Sequence, residues 1–418
     1  MQARLERLES SLERTEQRID KFESRGPQGR AVSSTPDLLA LSTFPGLYFA
    51  GFSQPTLDAA ALELPPRLEV TFAVEKYLKT MNSVLPIFNP EKLRHRVQNW
   101  FENRIDHRDC ATWAAINVVL ALAHRHTSTD KTKPDRNVTH FLKNAQSVLH
   151  EVIMGKPDIL NVQLLVGMVM LFQATLDLKP AAMLIALTLR LAHELGLHTQ
   201  SCDGEYTNPA EKLERDRVFW IAYILDCDIS MRTKQPPVQR HIDIDIDWPL
   251  AMPEDEAGLI TGIDGSAGFN FFLSRVELAR IQAEVYEIMF STRAKSLNNY
   301  ERLESMARLR YTLDNWMSGM PPQFLPNAIL QIAEPHVCRA FAVLYASHLA
   351  CRTWVCKAHI MESAWLQHLQ VFGRVSTQSG TVVPVPPLPQ GWDVLVSEAR
   401  EYMRLFMSIE WKDPAFIW

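Results

Sequence analysis

Residues 164–172 read Leu-Leu-Val-Gly-Met-Val-Met-Leu-Phe and are bracketed by Gln163 and Gln173. A helix that is apolar on every face offers no side to solvent and belongs in the centre of a bundle. The run is well short of the ~20 apolar residues that span a bilayer. It therefore predicts a buried helix inside a helical domain, and residues 183–191 share this all-round apolar character.

Helical periodicity continues on both sides of this run. Apolar residues recur three and four positions apart, and segments rich in Gly, Pro or Asp separate the periodic stretches. Gly196 stands where a glycine commonly ends a helix. The predicted helices cover residues 68–84, 91–104, 110–124, 138–154, 160–176, 181–195, 213–232, 269–290, 300–316, 335–360 and 391–408. Strand patterns are scarce, so we expect an all-α fold, a large multi-helix domain of about a dozen packed helices.

Composition narrows the classes of function. The 48 acidic and 43 basic residues give a formal net charge of −5, which disfavours a broad phosphate-binding surface because such surfaces need clustered Lys and Arg. The six cysteines contain no C-x-x-C pair, which fits a reducing compartment better than a disulfide scaffold. The N-terminus lacks the apolar core of a signal peptide. We expect a protein that itself binds neither DNA nor a membrane.

The first residues carry a heptad pattern. An a/d seam predicts a short coiled coil over residues 1–25, imperfect only at Thr15, and its dimerisation residues are Leu5, Leu8, Leu12, Ile19 and Phe22. In a parallel homodimer, Arg4 and Arg18 would face the Glu9 and Glu23 of a second copy. The alternative is a solvated helical leader, because about three heptads are marginal alone.

The chain divides into three predicted parts. After residues 1–25, the segment 26–66 mixes Gly, Ser, Pro and Thr without sustained periodicity, as expected of a linker. Helical periodicity then begins near Arg67 and continues through the rest of the chain. The predicted organisation is therefore a coiled coil, a linker and a helical domain over residues 67–418.

Four segments together resemble one family. Residues 190–198 read Arg-Leu-Ala-His-Glu-Leu-Gly-Leu-His, and residues 214–226 read Glu-Arg-Asp-Arg-Val-Phe-Trp-Ile-Ala-Tyr-Ile-Leu-Asp. A basic Pro-Pro turn follows at 231–237, and an Asp-Ile-Asp tail at 242–249. The combination is similar to the fungal-specific transcription factor domain, the middle homology region of zinc-cluster regulators. The residues that match its motifs, with structural roles, are Glu214, Arg217, Phe219, Trp220, Asp226, Pro236, Pro237 and Asp245.

The resemblance implies a nuclear transcriptional regulator of a metabolic or secondary-metabolite gene set. It also implies partners: a second copy through the coiled coil, and either the transcription machinery or a full-length zinc-cluster regulator. The six-cysteine zinc cluster by which such regulators read DNA does not occur in this sequence. We therefore expect DNA contact only through a module upstream, with zinc belonging to that module and no cofactor in this chain.

Other interpretations stay open. One alternative is a regulator without a zinc cluster that acts by dimerising with full-length regulators. Another is an enzyme built on the same helical body. The alternation of Asp243, Asp245 and Asp247 with isoleucines would place three carboxylates on one side of an extended segment, which would suit a hard cation. The glycine-hinged loop and the distal Glu of an EF-hand are missing from this segment, so we expect no metal site there.

Four charged residues stand on the apolar stretch 213–232, namely Arg215, Arg217, Asp226 and Asp228. We expect them to form ion pairs between helices and not to act in catalysis, because no nucleophile or base stands beside them.

Overall fold

The computed structural model describes residues 62–103, 108–125, 136–175, 177–200, 208–262, 268–331, 334–362, 364–379 and 391–408. Within these ranges the fold is all-α, as expected, with one two-stranded sheet. The helices are α1 (Arg67–Val84), α2 (Pro90–Glu102), α3 (Cys110–Arg125), α4 (Arg136–Ser147), α5 (Leu149–Met154), α6 (Ile159–Gln173), α7 (Lys179–Glu194), α8 (Pro209–Thr233), α9 (Phe271–Met289), α10 (Asn299–Ser318), α11 (Pro326–Ile329), α12 (Pro335–Glu362), α13 (Ala364–Ser379) and α14 (Trp392–Ser408). The strands are β1 (Leu259–Thr261) and β2 (Gly268–Asn270).

Three helices form the centre of the first part of the domain. Residues 112–123 of α3, 160–172 of α6 and 218–231 of α8 are buried on every face. The helix predicted from residues 164–172 is therefore confirmed as central. The close approach of α3 and α6 depends on Gly167, because a Cβ at this position would lie 2.4 Å from a methyl carbon of Val118.

Helix α7 differs from its predicted character. It was expected to be apolar all round, but Met183 is 56% exposed and the buried residues fall on one face. The physical reason is that α7 packs against α6 and α8 on one side only and presents its other side to solvent. Gly196, with φ +66°, follows this helix in the left-handed conformation that glycine adopts without a steric cost.

Side chains cap several helix starts. Asn89 accepts hydrogen bonds from the amides of Glu91 and Lys92 at the start of α2. Asn298 and Glu301 form a reciprocal capping box at the start of α10. Such contacts satisfy amides that have no partner within the helix, each worth about 1 kcal/mol. The local sequence thus fixes where these helices begin.

The second part of the domain is built around α9, α10, α12 and α14. Aromatic rings fill its core, and Phe341 lies 5.5 Å from both Phe271 and Phe324 between ring centroids. Strands β1 and β2 pair antiparallel, with Ile260 opposite Phe269, and lead directly into α9. The two residues Ile260 and Phe269 are buried against this core, which explains why a hairpin forms in a helical domain.

Some boundaries differ from the predicted ones. The predicted helix 138–154 is divided, because Val148 leaves the helical conformation (φ −108°, ψ 14°) and α5 then packs against α3. Helix α13 was not predicted.

Residues 62–66, placed at the end of the predicted linker, contact the domain: Leu62 is fully buried, and the Glu63 carbonyl accepts a hydrogen bond from Trp113 at 2.8 Å. Among the described helices, none is long and apolar enough to cross a membrane.

Candidate functional site

Helix α8 carries most of the motif residues and begins at a capped N-terminus. Asn208 accepts a hydrogen bond from the amide of Ala210, and Pro209 occupies the first turn, where a missing N–H has no consequence. The helix ends after 25 residues, at Lys234 in the left-handed conformation. This length places charged residues near both ends and a continuously buried segment between them.

Glu214 connects three helices. One carboxylate oxygen accepts from Lys92 Nζ on α2 at 2.6 Å, and the other accepts from Gln163 Nε2 on α6 at 2.9 Å. The Glu214 side chain is only 8% exposed, whereas the Lys92 side chain is 47% exposed. A buried carboxylate with two donors has its charge compensated. The arrangement is structural, because it connects α8 to α2 and to α6.

Arg217 holds the turn that precedes β1. Its two terminal nitrogens each donate to one oxygen of Asp255 at 2.6 Å. These hydrogen bonds lower the pKa of Asp255, with burial acting in the opposite direction. The nearby Arg215 donates instead to the backbone carbonyl of Leu195 at 2.6 Å. The two arginines thus bind segments outside α8, Arg217 through an ion pair and Arg215 through a backbone carbonyl.

Trp220 anchors the segment that follows α8, and Phe219 packs beside it with ring centroids 6.0 Å apart. Both rings are buried, and the Trp220 indole N–H donates to the Asp247 carbonyl at 3.0 Å. Trp248 packs on Trp220 with ring centroids 5.5 Å apart. Asp245 contributes through its backbone, because its amide donates to the His198 carbonyl at 2.8 Å. The Asp-Ile-Asp tail is therefore fixed across the end of α7 and the face of α8.

The extended arrangement expected for the Asp-Ile-Asp tail is wrong at its start. Residues His241–Asp243 form a 3-10 turn, and Ile242 is 73% exposed. Asp247 forms an ion pair with Lys212, whose Nζ lies 3.1 Å from the Asp247 Oδ2. Across the described part of the chain, no group of three or more His, Cys, Asp or Glu side chains is placed to hold a metal ion.

Asp226 stabilises the turn that contains Pro236 and Pro237. Its carboxylate accepts from the backbone amide of Gln239 at 2.9 Å, and the Gln239 side chain in turn contacts the ring of His193. Burial raises the pKa of Asp226 to about 7, while backbone hydrogen bonds from residues 238 and 239 lower it. The two prolines lie in the short connection between α8 and these contacts, and Pro236 is exposed. Asp226 forms a backbone anchor, which differs from the expected ion pair between helices.

A buried ion pair two residues further on confirms the expected pairing for Asp228. Asp228 Oδ2 lies 2.5 Å from Arg275 Nη2 on α9, and Asp228 Oδ1 accepts from Gln282 at 2.9 Å. Arg275 also donates to the Ser347 hydroxyl on α12 at 3.2 Å. Sequence reasoning placed Asp228 but missed Arg275, Gln282 and Ser347. A basic residue inside the apolar stretch 271–281 was the signal available for Arg275.

A cavity of about 150 Å³ lies beside this ion pair, between the two parts of the domain. Its walls come from α1, α8, α9 and α12 and from the C-terminal ends of α3 and α6. The polar groups are Asp228, Arg275, Arg125, Gln173, His336 and Arg339, with Thr80 at one edge. The remaining lining is apolar and includes Val84, Ile221, Ile224, Phe271 and Val343.

A second, larger depression of about 1130 Å³ runs between α9 and α10. Four of its charged lining residues form two ion pairs: Arg280 lies 3.6 Å from Glu284, and Arg293 lies 3.3 Å from Glu287. Exposed pairs of this kind are typical of a solvated protein surface. The smaller cavity is therefore the better candidate for a specific site, because it combines buried charge with apolar walls.

These features define a helical domain in which the motif residues fix one helix, α8, to the segments around it. The chain belongs to the family described as the fungal specific transcription factor domain, whose model matches residues 74–318. The matched range includes α8, the Asp-Ile-Asp tail, and the α8 and α9 walls of the cavity. The family resemblance expected from the sequence is thereby confirmed.

Related proteins are named as transcription factors. The chain is 32% identical over 359 residues to an ABC-transporter-regulating transcription factor of Aspergillus oryzae, covering 85% of this chain and 40% of that protein. It is 29% identical over 251 residues to the Fusaridione A cluster transcription factor fsdR of Fusarium heterosporum, covering 60% of this chain and 46% of that protein. The chain thus spans less than half the length of these relatives. No solved structure matches it.

The predicted dimerisation residues Leu5, Leu8, Leu12, Ile19 and Phe22 lie outside the described residues. Of the eight motif residues, all lie in α8 or within twelve residues of its end. Glu214, Arg217, Trp220 and Asp226 each contact a different segment of the chain. The motif residues therefore connect one helix, α8, to several other segments of the chain.

Proposed function

We propose that the chain is the regulatory part of a nuclear transcription factor that controls genes of metabolism, secondary metabolism or transport. The observation that carries this proposal is the family match over residues 74–318, together with relatives that are named as transcription factors. A formal net charge of −5 supports the proposal that this domain does not itself contact DNA phosphates. DNA would then be read by a zinc-cluster module of the complete regulator, and zinc would belong to that module.

Regulation through a helical domain requires that its conformation be sensed elsewhere in the protein. Helix α8 is suited to such a role because it is tied to α2 and α6 through Glu214 and to α9 through Asp228. A shift of α8 would therefore displace several elements at once. In the proposed mechanism, the domain controls the exposure of a segment that contacts the transcription machinery.

An alternative proposal concerns a protein without a zinc cluster. It would pair with full-length regulators through the heptad seam of residues 1–25 and alter their occupancy of DNA. The reading frame upstream of Met1 distinguishes the two proposals. A basic segment with six cysteines would exclude the alternative, and an in-frame stop codon directly upstream would exclude the main proposal for this gene.

We propose further that the chain has no catalytic activity of its own. The ionisable groups that catalysis would need are engaged in structural contacts: Asp228 with Arg275, and Asp247 with Lys212. Catalytic sites usually present ionisable groups that converge on a pocket and are not consumed in structural pairs. The cavity beside Asp228 is better suited to binding than to a reaction.

The test is a fusion of residues 1–418 to an unrelated DNA-binding domain in a fungal reporter strain. We expect the fusion to accumulate in the nucleus and to change reporter transcription relative to the DNA-binding domain alone. Glu214→Ala should reduce the effect, because it removes the tie to α2 and α6. The matched control is Glu211→Ala, an exposed position on the same helix. A folded nuclear fusion that leaves reporter output unchanged would contradict the proposal.

A further inference from the structure

The cavity beside Asp228 lies where six helices meet. Its lining residues come from α1, α3, α6, α8, α9 and α12, so both parts of the domain contribute to its walls. Protein interiors pack at the density of organic crystals, and spaces larger than a water molecule are few. A space of about 150 Å³ at this junction is therefore larger than an ordinary packing defect and has room for a small ligand.

Most of the cavity lining is apolar. Apolar side chains reach it from five of the six helices, among them Val84 on α1, Met170 on α6, Ile221 on α8 and Phe271 on α9. Polar residues stand between them on the same helices, as Arg275 does one turn after Phe271, so the cavity has no separate charged side. An apolar space of about 150 Å³ accommodates a molecule the size of benzene.

The two buried charges in the lining compensate each other. One oxygen of Asp228 accepts from Arg275, and the other accepts from Gln282. Arg275 donates in addition to the hydroxyl of Ser347. The imidazole of His336 adds no charge, because burial lowers its pKa below the ordinary value of 6.5. The buried part of the lining thus offers no free counter-charge to a ligand.

The two other arginines of the lining are also engaged. Arg125 Nη1 donates to the Met170 carbonyl at 2.8 Å, and both Arg125 and Arg339 take part in further interactions within the protein. Both side chains are partly exposed to solvent. A charged ligand would have to leave water for arginines that already have partners, which is unfavourable. An uncharged ligand avoids this cost.

One hydrogen-bond donor of the lining has no acceptor. The side-chain nitrogen of Gln173, at the end of α6, is buried and makes no hydrogen bond within the described structure. The backbone carbonyl of Gln173 accepts from Arg232 Nη1 at 2.9 Å, which holds this end of α6 against α8. A buried donor without an acceptor is unfavourable, and an oxygen or nitrogen acceptor on a ligand would satisfy it.

From the apolar lining, the compensated charges and the donor of Gln173, we propose that this cavity binds a small uncharged molecule with an apolar body the size of benzene and one hydrogen-bond acceptor. The acceptor takes the hydrogen bond of the Gln173 side-chain nitrogen. The apolar body fills the space between α8, α9 and α12.

The regulatory consequence of binding rests on the proposed function. Residues of α8 and of α12 both line the cavity, so a bound ligand stabilises the arrangement in which these two helices lie around it. A ligand shifts a conformational equilibrium by its difference in affinity for the two states. A small uncharged molecule would in this way set the output of the transcription factor.

Benzene and pyridine are the probes, because they have the same shape and differ by one acceptor nitrogen. Pyridine is uncharged at pH 8. Ligand-observed NMR on the full chain at this pH should show that both bind at millimolar concentrations and that each displaces the other. Benzoate should bind more weakly than benzene, because its carboxylate has to leave water without gaining a free counter-charge.

Gln173→Leu separates the hydrogen bond from the apolar contacts. The substitution keeps a side chain of similar size and removes the donor. It should weaken pyridine binding by about fivefold to tenfold and leave benzene binding at least as strong. Comparing the ratio of the two affinities between the proteins cancels the difference in hydration of the probes. Gln370→Leu, at an exposed position of α13, is the matched control and should leave this ratio unchanged.

A second variant fills the space. Val343→Phe should abolish the binding of both probes, whereas Val371→Phe makes the same change at a position of α13 that is 53% exposed and should not affect binding. Thermal unfolding shows whether each variant is folded, and the Gln173→Leu comparison is decisive without Val343→Phe.

Four outcomes would overturn the assignment. They are no binding of benzene or pyridine at millimolar concentrations, an unchanged affinity ratio in Gln173→Leu, tighter binding of benzoate than of benzene, and full binding by a folded Val343→Phe. Loss of the assignment with an active reporter fusion leaves the proposed function intact, and ligand binding with an inactive fusion refutes the proposed function alone.

Discussion

Arg275 on α9 and Asp228 on α8 form an ion pair with side chains that are 3% and 2% exposed. The pair is the point at which the first part of the domain meets the second, because α8 belongs to the one and α9 to the other. Gln282 and Ser347 satisfy further hydrogen-bonding positions of the two charges. Removing water from two charges is unfavourable unless each is fully partnered, so this network specifies one arrangement of α8, α9 and α12.

Asp228→Asn should destabilise the domain strongly. The substitution leaves the Arg275 charge buried without a counter-charge, which typically reduces the free energy of unfolding by about 3–5 kcal/mol. Asp255→Asn breaks the pair with Arg217, where the carboxylate is 46% exposed, and should cost about 1 kcal/mol or less. Chemical denaturation of both variants compares the two losses. Equal losses of unfolding free energy in the two variants would show that the buried pair stabilises the domain no more than the exposed pair does.

The stability of the domain should depend on the titration of Asp226. Its pKa is 3.8 when unperturbed and about 7 in the folded protein, so the folded state retains a proton that the unfolded state releases. The free energy of unfolding contributed by this group is therefore fully present below pH 3.8, falls between pH 3.8 and about 7, and is constant above. The slope is at most about 1.4 kcal/mol per pH unit.

Asp226→Asn isolates this effect, because the amide oxygen can still accept from the Gln239 amide but does not titrate. We expect the variant to be similar to the unmodified protein near pH 4 and more stable than it at pH 8. Denaturation at a series of pH values gives the difference curve. A difference that does not change with pH would show that Asp226 has the same pKa in the folded and the unfolded protein.

Two glycine-to-alanine substitutions in helices should have opposite effects. At Gly167 a Cβ would lie 2.4 Å from Val118, so Gly167→Ala should force α3 and α6 apart and cost about 1–3 kcal/mol. At Gly373 on α13 no atom lies within 4 Å of the added Cβ, so Gly373→Ala should stabilise the helix by about 0.5–1 kcal/mol. Thermal unfolding measures both shifts. A stabilising Gly167→Ala would mean that Val118 moves aside without strain.

The sequence predicted the helices well because their signals are local. Apolar periodicity located α6, and capping residues such as Asn89 and Asn298 accompany the starts of α2 and α10. The exposed face of α7 was not predictable from its composition, since exposure depends on which neighbours pack against it. The hairpin of β1 and β2 was missed because its three-residue strands are too short to show an alternating pattern.

The site was predictable in part. The motif located α8, and the charged residues on it predicted the pairing of Asp228, but nothing in the sequence spacing identifies Arg275, which lies 47 residues away, as its partner. The cavity could not be predicted either, because residues that are distant in the sequence form it. Its walls come from six helices that are distant in the chain, and a space between helices exists only once all of them are packed.

The heptad seam of residues 1–25 gives a prediction about assembly. Leucine and isoleucine at the a and d positions should bring two chains together, so sedimentation should find a dimer for the full chain and a monomer for residues 26–418. Leu12→Lys places a charge in the seam and should also give a monomer, whereas Ser10→Lys lies at an outward f position and should leave the dimer intact. If the full chain and both variants sediment with the same monomeric mass, the segment is a solvated leader, and any pairing of this protein must use a surface of the helical domain.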